Sequence, residues 1–311
     1  MRIVYMGTPE FAVPSLARLL ADGHTVAGVF TQPDKPQGRK MRLTPPPVKV
    51  LAQRHNIPVY QPQSFREDAA VRLVEELAPE LIVVAAYGKI LPAAVLAIPP
   101  YGCINVHGSL LPKYRGAAPI QWSVINGEKY GGVTTMKMAK ELDAGDMLLA
   151  AKTEIGPAET AGDLYDRLAE MGASLLAETR ESLPRITPVP QQEAEATYAP
   201  MLNKEIAVLD WHKPAAAVHN AIRGLNPWPI AVSSLHGEKI KIYLSEITNT
   251  KSAAAPGEVV LADPRKGFFV ACGDGTVLRL LEIQAPGAKR MKAEDYLRGH
   301  PVEAGVQWGI G

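Results

Sequence analysis

The alternation of strand-like and helix-like stretches at the N-terminus is the feature that most constrains the fold of this 311-residue chain. Residues 2–6 form a short apolar run that ends in a Gly-Thr-Pro turn. Apolar residues then recur at helical spacing across residues 11–21, and residues 25–31 are β-rich again. A strand, a helix and a second strand in this order predict a parallel sheet.

The same alternation continues along the first half of the chain. Residues 69–77 and 163–183 have the spacing of helices, and residues 81–85, 103–107 and 132–138 have the composition of strands. The run at 81–85 is apolar throughout, which is typical of a strand covered on both faces. The sequence therefore predicts the α/β class, with a Rossmann-like, mostly parallel sheet.

The second half of the chain differs from the first in composition and in the spacing of its apolar residues. Prolines punctuate the region from 184 to 200, which favours a linker. A helix at 214–223 is followed by five short β-like runs, at residues 230–235, 239–244, 258–261, 268–271 and 277–283. Five short strands at this spacing predict a small OB-like β-barrel. We therefore expect a first domain at 1–189, a linker at 190–205 and an OB-like C-terminal domain at 206–311.

Composition excludes several classes of protein. No apolar stretch reaches the roughly 18 residues of a membrane-spanning helix. The two cysteines, Cys103 and Cys272, lie far apart and outside any CxxC pattern, which argues against a disulfide framework or a zinc site. The net charge of +1 is low for a dedicated nucleic-acid binder. Basic residues do cluster at residues 34–49, where a solvated surface loop and a polyanion contact are equally consistent with the pattern.

Asn105 and His107 form the sharpest local feature. Side chains two apart in a strand point the same way, so both face the crevice at the carboxyl end of the 103–107 strand. Asn is a neutral donor, and His can be an acid, a base or a cationic donor near neutral pH. The pair by itself also fits a purely structural role.

An acidic segment at residues 142–146 (LDAGD) follows the 132–138 strand. A turn there would bring Asp143 beside His107, where a carboxylate orients the ring and favours its charged form. The alternative is an Asx turn that caps the next element, and Asp146 fits that alternative better than Asp143. The Rossmann glycine fingerprint and the Walker A pattern are both absent, which disfavours a classical NAD or ATP enzyme.

Taken together, these residues resemble the 10-formyltetrahydrofolate-dependent formyltransferases. The matching stretches are residues 86–92 (AYGKILP), 105–112 (NVHGSLLP), 114–116 (YRG) and 142–146 (LDAGD), in the same order and at similar spacing. Within that superfamily the chain most resembles the branch that acts on methionyl-tRNA. Residues 31–39 (TQPDKPQGR) resemble the start of its basic insertion loop, and residues 226–229 (NPWP) and 271–275 (ACGDG) resemble its C-terminal domain.

The resemblance implies transfer of the formyl group of 10-formyltetrahydrofolate to the α-amino group of methionyl initiator tRNA, for translation initiation. Asn105, His107 and Asp143 match the catalytic trio of that family. The expected folate-binding residues are Tyr87, Gly88, Ile90, Leu91, Ser109, Leu110, Leu111 and Pro112. The expected tRNA-binding residues are Arg39, Lys40 and Arg42. The resemblance also implies a tRNA-binding role for the C-terminal domain, a cytoplasmic monomer, and neither a metal nor a membrane partner.

Rival functions remain open on the sequence. Enzymes that formylate a nucleotide-linked amino sugar share the trio and a similar C-terminal domain, but resemble this chain less across residues 34–49. Glycinamide ribonucleotide formyltransferase is shorter, and a formyltetrahydrofolate hydrolase has no need of the basic loop. A nicotinamide-dependent oxidoreductase and a noncatalytic tRNA-binding protein are the alternatives from other classes.

Overall fold

The computed structural model describes residues 1–38, 41–65 and 68–309, and the chain divides into two compact units. The first unit contains Met1–Pro119, Tyr130–Thr153 and Tyr165–Ala199. The second unit contains Ile120–Lys129, Glu154–Leu164 and Pro200–Gly311. The second unit therefore includes two short segments that lie well before its main part in the sequence.

The first unit contains most of the regular structure of the N-terminal half. Its strands are β1 (Arg2–Gly7), β2 (Thr25–Phe30), β3 (Lys35–Gln37), β4 (Arg42–Thr44), β5 (Val59–Tyr60), β6 (Leu81–Ala85), β7 (Cys103–His107), β8 (Arg115–Gly116), β9 (Tyr130–Lys137), β10 (Met147–Glu154) and β11 (Tyr198–Ala199). Its helices are α1 (Val13–Ala21), α2 (Pro47–Arg54), α3 (Asp68–Glu76) and α4 (Ala93–Leu96). Two further helices, α5 (Pro119–Ile125) and α6 (Ala161–Ser182), run across the division between the units.

Seven strands form the main sheet, in the order β10-β9-β7-β6-β1-β2-β5. The pairs β1–β2, β1–β6, β2–β5 and β6–β7 are parallel, whereas β7 and β9 are antiparallel. The prediction of an α/β chain with a mostly parallel, Rossmann-like sheet is thus confirmed. The strand order reverses at β1, which has β2 on one side and β6 on the other. Ligands of such sheets bind beyond the carboxyl ends of the strands at this reversal.

The core of the first unit lies on both faces of β1 and β6. Every residue of Leu81–Ala85 is buried, and so are Ile3, Val4, Tyr5 and Met6. Alternate residues of a strand point to opposite faces, so a strand buried on both sides needs apolar residues throughout. One face packs into a cluster that includes Val4, Met6, Phe30, Ile82, Val84 and Val95. The apolar run read from the sequence is therefore a central strand.

The second unit is built on an antiparallel sheet. Its strands are β12 (Ala231–Leu235), β13 (Glu238–Lys251), β14 (Val259–Asp263), β15 (Gly267–Ala271), β16 (Thr276–Gln284) and β17 (Met291–Lys292), and its own helices are α7 (Ala215–Gly224) and α8 (Ala293–Gly299). The strand order is β12-β13-β16-β15-β14, with β17 paired to β16. All of these ladders are antiparallel.

The strands of the second unit differ from the sequence prediction in number and in length. The sequence predicts five short strands, whereas the described residues of this unit form a sheet of six, and β13 is 14 residues long. The pairing of β13 with β16 shifts register around Leu244, so the alternation of buried and exposed residues breaks there. The remainder of β13 is mostly exposed and polar, which explains why the apolar pattern ends at residue 244. Within the described residues, no helix has both the length and the apolar character needed to cross a bilayer.

Candidate active site

Asn105 and His107 lie at the carboxyl end of β7, beside the parallel strand β6. Both side chains are almost fully buried, at 8% and 6% exposure. Their spacing of two places them on the same face of the strand. Buried polar groups in such a position need hydrogen-bond partners, so the neighbours of His107 indicate what the site can do.

Both ring nitrogens of His107 face acceptors. Nε2 lies 2.9 Å from the backbone oxygen of Tyr114, and Nδ1 lies 3.7 Å from Oδ2 of Asp143. Because a carbonyl oxygen only accepts, Nε2 must bear a proton. The Asp143 carboxylate lies beside Nδ1 but beyond hydrogen-bond distance. One fixed acceptor and one nearby carboxylate therefore orient the ring.

The Asp143 carboxylate is held by a backbone donor. Its Oδ2 accepts the backbone N–H of Gly116 at 2.8 Å, and its side chain is 12% exposed. Its φ of 50° lies in the left-handed region, which Asp tolerates better than most residues. Gly145, two residues further along the chain, sits so close to the carbonyl of Lys137 that any Cβ there would overlap it. The sequence of this turn therefore fixes the direction of the Asp143 carboxylate.

The loop after β7 is fastened by Thr134 of β9. In the β7–β9 ladder Thr134 is the partner of His107. Its hydroxyl donates to the carbonyl of Ser109 at 2.7 Å and accepts the N–H of Leu111 at 3.2 Å. Leu110 packs where Gly132 leaves room, because a Cβ on that glycine would overlap the leucine side chain. The expected folate-binding segment 109–112 is thus tied to the strand that pairs with β7 at His107.

The stretch after β6 presents a different arrangement. Tyr87 and Leu91 are buried in the apolar core, whereas Ile90 is 83% exposed. The Tyr87 hydroxyl has no hydrogen-bond partner among the described residues, and burial raises its pKa. The carbonyls of Tyr87 and Gly88 accept the side-chain amide of Gln32 at 3.2 and 3.0 Å. Among the predicted folate-binding residues of this stretch, Ile90 has the side chain that is open to a ligand. Tyr87, Gly88 and Leu91 shape the backbone around it.

The basic segment is a β-hairpin made by β3 and β4. The antiparallel ladder pairs Lys35 with Thr44 and Gln37 with Arg42. Arg42 is exposed on this hairpin, while Arg39 and Lys40 lie outside the described residues. A separate basic residue of the segment, Lys49, is already paired: its ammonium lies 2.8 Å from Oδ1 of Asp34.

No cluster of three or more His, Cys, Asp or Glu that would hold a metal ion occurs in the described part of the chain. Cys103 and Cys272 are free and buried. Burial raises the pKa of each thiol to about 12, so both stay protonated at neutral pH. Thiolate chemistry therefore has no place in this site.

Two family profiles match this chain. The profile described as "Formyl transferase" matches residues 1–179, and "Formyl transferase, C-terminal domain" matches residues 201–301. The chain belongs to the formyl transferase family. The resemblance read from the motifs is thereby confirmed.

Relatives of this formyltransferase share about half of its residues over nearly the whole length. The methionyl-tRNA formyltransferase of Trichlorobacter lovleyi is 50% identical over 98% of this chain and 96% of its own. The methionyl-tRNA formyltransferase of Bacillus subtilis is 49% identical over 99% of this chain and 98% of its own. These relatives match both units, not the first alone.

Solved structures share the fold of this formyltransferase at low identity. The N-formyltransferase from Helicobacter canadensis, in complex with folinic acid and dTDP-3-aminofucose, has a TM-score of 0.68 and 19% identity, with 91% of this chain and 98% of that chain covered. HypX from Aquifex aeolicus, in complex with tetrahydrofolic acid, has a TM-score of 0.64 and 19% identity. That match covers 96% of this chain and 47% of HypX, so the formyltransferase spans about half of HypX.

The C-terminal motifs of this formyltransferase have structural partners in the second unit. The side-chain amide of Asn226 donates to the carbonyl of Tyr243 at 3.0 Å. Oδ1 of Asp274 accepts the N–H of Ala215, the first residue of α7, at 3.2 Å. An acceptor at a helix N-terminus satisfies an amide that has no partner within the helix. These residues hold the second unit together, whereas Trp228 of the same NPWP motif is 51% exposed.

Sequence reasoning missed two residues that build the site of this formyltransferase. Thr134 could have been found, because the ladder register places it opposite His107 once β9 is known to pair with β7. Gln191 could not, since it lies in a proline-rich segment without period. Its amide reaches the backbone of the turn that contains Asp143.

Proposed function

We propose that this chain transfers the formyl group of 10-formyltetrahydrofolate to the α-amino group of methionine on initiator tRNA, and so serves translation initiation. The observation that carries the proposal is 50% identity over 98% of the chain to a methionyl-tRNA formyltransferase. The three polar side chains of the site do not indicate which amine accepts the formyl group. Sequence identity of this level across both units does indicate it. The geometry of the site supplies the chemistry.

Asn105, His107 and Asp143 are the proposed catalytic residues. Attack of the amine on the formyl carbon produces a tetrahedral intermediate with negative charge on oxygen. The Asn105 amide and a protonated or proton-sharing His107 ring are the donors that stabilise this charge, a contribution worth roughly 10²–10³ in turnover per donor. Asp143 lies beside Nδ1 of the same ring, where it orients the imidazole and stabilises its charge.

The folate cosubstrate is proposed to lie along residues 109–112 and 87–91, beyond the carboxyl ends of β6 and β7. This position follows from the strand reversal at β1. Thr134 supports it, because its two hydrogen bonds hold the backbone of the 109–112 loop in one conformation. The exposed Ile90 supplies an apolar contact for the flat pteridine ring.

The hairpin of β3 and β4 is proposed to contact the acceptor end of the tRNA. Lys35 and Arg42 are exposed on it, and Arg39 and Lys40 lie between these two residues in the sequence. Side-chain cations on one short hairpin neutralise several phosphates and so position the 3′ end. Lys49 contributes less, because its charge is offset by Asp34.

For the C-terminal domain, we propose an OB-like barrel that binds tRNA, with the domain boundaries 1–189, 190–205 and 206–311. The two outer strands of the sheet order are β12 and β14. Isolated bridges join Ser234 of β12 to Gly309, and Glu258, just before β14, to Gln307. The C-terminal segment therefore contacts both edges of the sheet, one on the β12 side and one on the β14 side. Contact with both edges supports a partly open barrel.

We further propose a cytoplasmic monomer. Asn105, His107 and Asp143 come from one unit of one chain, so the site needs no residue from a second copy. Two free, buried cysteines suit a reducing compartment. Charged initiator tRNA, the proposed acceptor, is used in the same compartment.

The test is formyl transfer from 10-formyltetrahydrofolate labelled in the formyl group. Methionyl initiator tRNA, free methionine and a nucleotide-linked amino sugar are compared as acceptors, and folate consumption is followed in parallel. We expect label on the charged tRNA alone. Label on the amino sugar would assign the chain to the sugar formyltransferases, and folate consumption without a labelled acceptor would indicate a hydrolase.

A further inference from the structure

The segment of residues 189–199, between α6 and the second unit, lies against both loops that face His107. We call this segment the strap. We infer that the strap positions both neighbours of the His107 ring, the Tyr114 carbonyl and the Asp143 carboxylate, and that Gln191 within it is the positioning residue for Asp143. This inference rests on the proposed function, because it assigns Gln191 a part in formyl transfer.

The strap is fixed first at its beginning. Val189 and Met147, the first residue of β10, exchange two backbone hydrogen bonds of 2.8 and 2.9 Å. Two residues later, the Gln191 side-chain amide donates to the carbonyls of Asp143 and Gly145 at 2.7 and 2.8 Å. One side chain therefore holds the backbone of the acidic turn on both sides of Ala144.

The amide of Gln191 can be oriented in only one way. Its Oε1 accepts Nε of Arg115 at 3.1 Å, while its nitrogen donates to the two carbonyls. A flipped amide would set its oxygen against two carbonyl oxygens and its nitrogen against a cation. Both polar atoms of the Gln191 amide therefore have hydrogen-bond partners, as expected of a side chain that holds neighbouring groups in place.

Arg115 ties the strap to the second loop. Its side chain is 2% exposed, and its guanidinium lies 2.8 Å from Oε2 of Glu193 in the strap. A buried cation needs such partners, so Gln191 and Glu193 both hold Arg115 in place. Arg115 immediately follows Tyr114, whose carbonyl faces Nε2 of His107.

Backbone contacts complete the attachment to this second loop. Thr197 accepts the N–H of Tyr114 through its hydroxyl at 2.9 Å, and the N–H of Arg115 through its carbonyl at 2.8 Å. The ladder then continues as the parallel pair β8–β11. The two partners of His107, the Tyr114 carbonyl and the Asp143 carboxylate, are therefore anchored to the same eleven-residue segment, residues 189–199.

Gln191 matters to Asp143 because of the backbone conformation there. A φ of 50° is unfavourable for a residue with a Cβ, so the turn needs external support. Without the two amide hydrogen bonds, the turn can relax and carry the carboxylate away from Nδ1 of His107. A displacement of about 1 Å at a reacting site costs on the order of 10²-fold in rate.

The experiment compares Gln191→Ala with Gln192→Ala in the full-length protein. Gln192 is the adjacent residue of the same type, and its side chain is exposed. We expect Gln191→Ala to lower kcat by roughly 10- to 100-fold, with the KM values for folate and tRNA unchanged and the thermal unfolding midpoint close to that of the wild type. Gln192→Ala should match the wild type in all of these.

A double-mutant cycle with Asp143→Ala separates positioning from general support of the fold. If Gln191 acts through Asp143, Gln191→Ala should lower kcat by less than about twofold once Asp143 has been removed. The inference would be overturned if the losses in kcat caused by Gln191→Ala and Asp143→Ala multiply fully in the double variant. It would also be overturned if Gln191→Ala behaves like Gln192→Ala. If Gln191→Ala does not fold, Gln191→Met retains the length of the side chain without its polar atoms, and unfolding of both variants would leave Gln191 a purely structural role.

Failure of the positioning role is distinguishable from failure of the proposed function. A wild-type protein that transfers no formyl group to methionyl-tRNA contradicts the proposed function itself. A wild-type protein that is active, with a Gln191→Ala variant equally active, contradicts the positioning role alone.

Discussion

Oδ2 of Asp143 lies 3.7 Å from Nδ1 of His107 and 2.8 Å from the amide nitrogen of Gly116. The carboxylate is thus anchored by a backbone donor, and this anchor does not depend on the protonation state of the ring. The Tyr114 carbonyl only accepts, so Nε2 carries a proton. A fixed carbonyl and a fixed carboxylate therefore flank the two ring nitrogens of His107 before the substrates arrive.

Asp143→Asn should retain the fold and lose turnover. The Asn oxygen still accepts the Gly116 amide, but the charge beside Nδ1 is gone. We expect kcat to fall by roughly 10²–10⁴, the range for a positioned acid–base group, with little change in KM. Steady-state kinetics test this, with Asp146→Asn in the same acidic segment as the matched control. Turnover near that of the wild type in Asp143→Asn would remove Asp143 from the mechanism.

Thr134→Val should weaken folate binding more than catalysis. Valine fills the same space but loses the bonds to the Ser109 carbonyl and the Leu111 amide. Each such bond contributes about 0.5–1.5 kcal/mol, so the folate KM should rise roughly 5- to 100-fold. The control is Thr135→Val, because Thr135 bonds to Thr179 of α6 instead and its loss should affect stability alone. An equal rise in folate KM in both variants would contradict the role given to Thr134.

The parallel sheet was predictable because its strands are short, apolar and bounded by turns. The sequence predicts strands at 2–6, 25–31, 81–85 and 103–107, and the structure has Arg2–Gly7, Thr25–Phe30, Leu81–Ala85 and Cys103–His107. Burial on both faces imposes a composition that is visible in a single sequence. The carboxyl end of β7 then follows, and with it the location of Asn105 and His107.

The strap was not predictable, for the opposite reason. Gln191 and Arg115 are 76 positions apart, and β8 and β11 have two residues each, too few for any period. The proline-rich composition favours a linker, although residues 189–199 make specific hydrogen bonds within the first unit. Contacts between isolated polar residues leave no periodic signal in a sequence. The roles assigned to the catalytic, folate and tRNA residues remain predictions.

His219 should make the stability of the second unit depend on pH. Burial lowers the pKa of this ring, and its neutral form bonds to Ser245 Oγ and to the carbonyl of Pro157, both at 2.9 Å. The unfolded ring titrates near about 6.5, so below that pH the unfolded state binds more protons. Stability should be complete above pH of about 6.5 and fall as pH drops toward the lower folded pKa.

Tryptophan fluorescence in urea measures this directly, because all four tryptophans lie in segments of the second unit. At pH 7.5, His219→Gln should lower the free energy of unfolding by about 1–3 kcal/mol, and the difference from the wild type should shrink toward pH 5. His212→Gln is the control, because His212 is 72% exposed. A constant difference across this range would contradict the assignment.

Arg42→Ala should weaken tRNA binding in a way that depends on salt. Arg42 is exposed on the β3–β4 hairpin, so its charge is available to a phosphate. Loss of one phosphate contact lowers the slope of log K against log salt by about 0.7–0.9, while the folate KM should stay constant. The control is the pair Asp34→Asn with Lys49→Gln, which removes a bonded cation and anion together and leaves the net charge unchanged. If the control changes the slope as much as Arg42→Ala, the salt dependence does not report a contact between this hairpin and the tRNA.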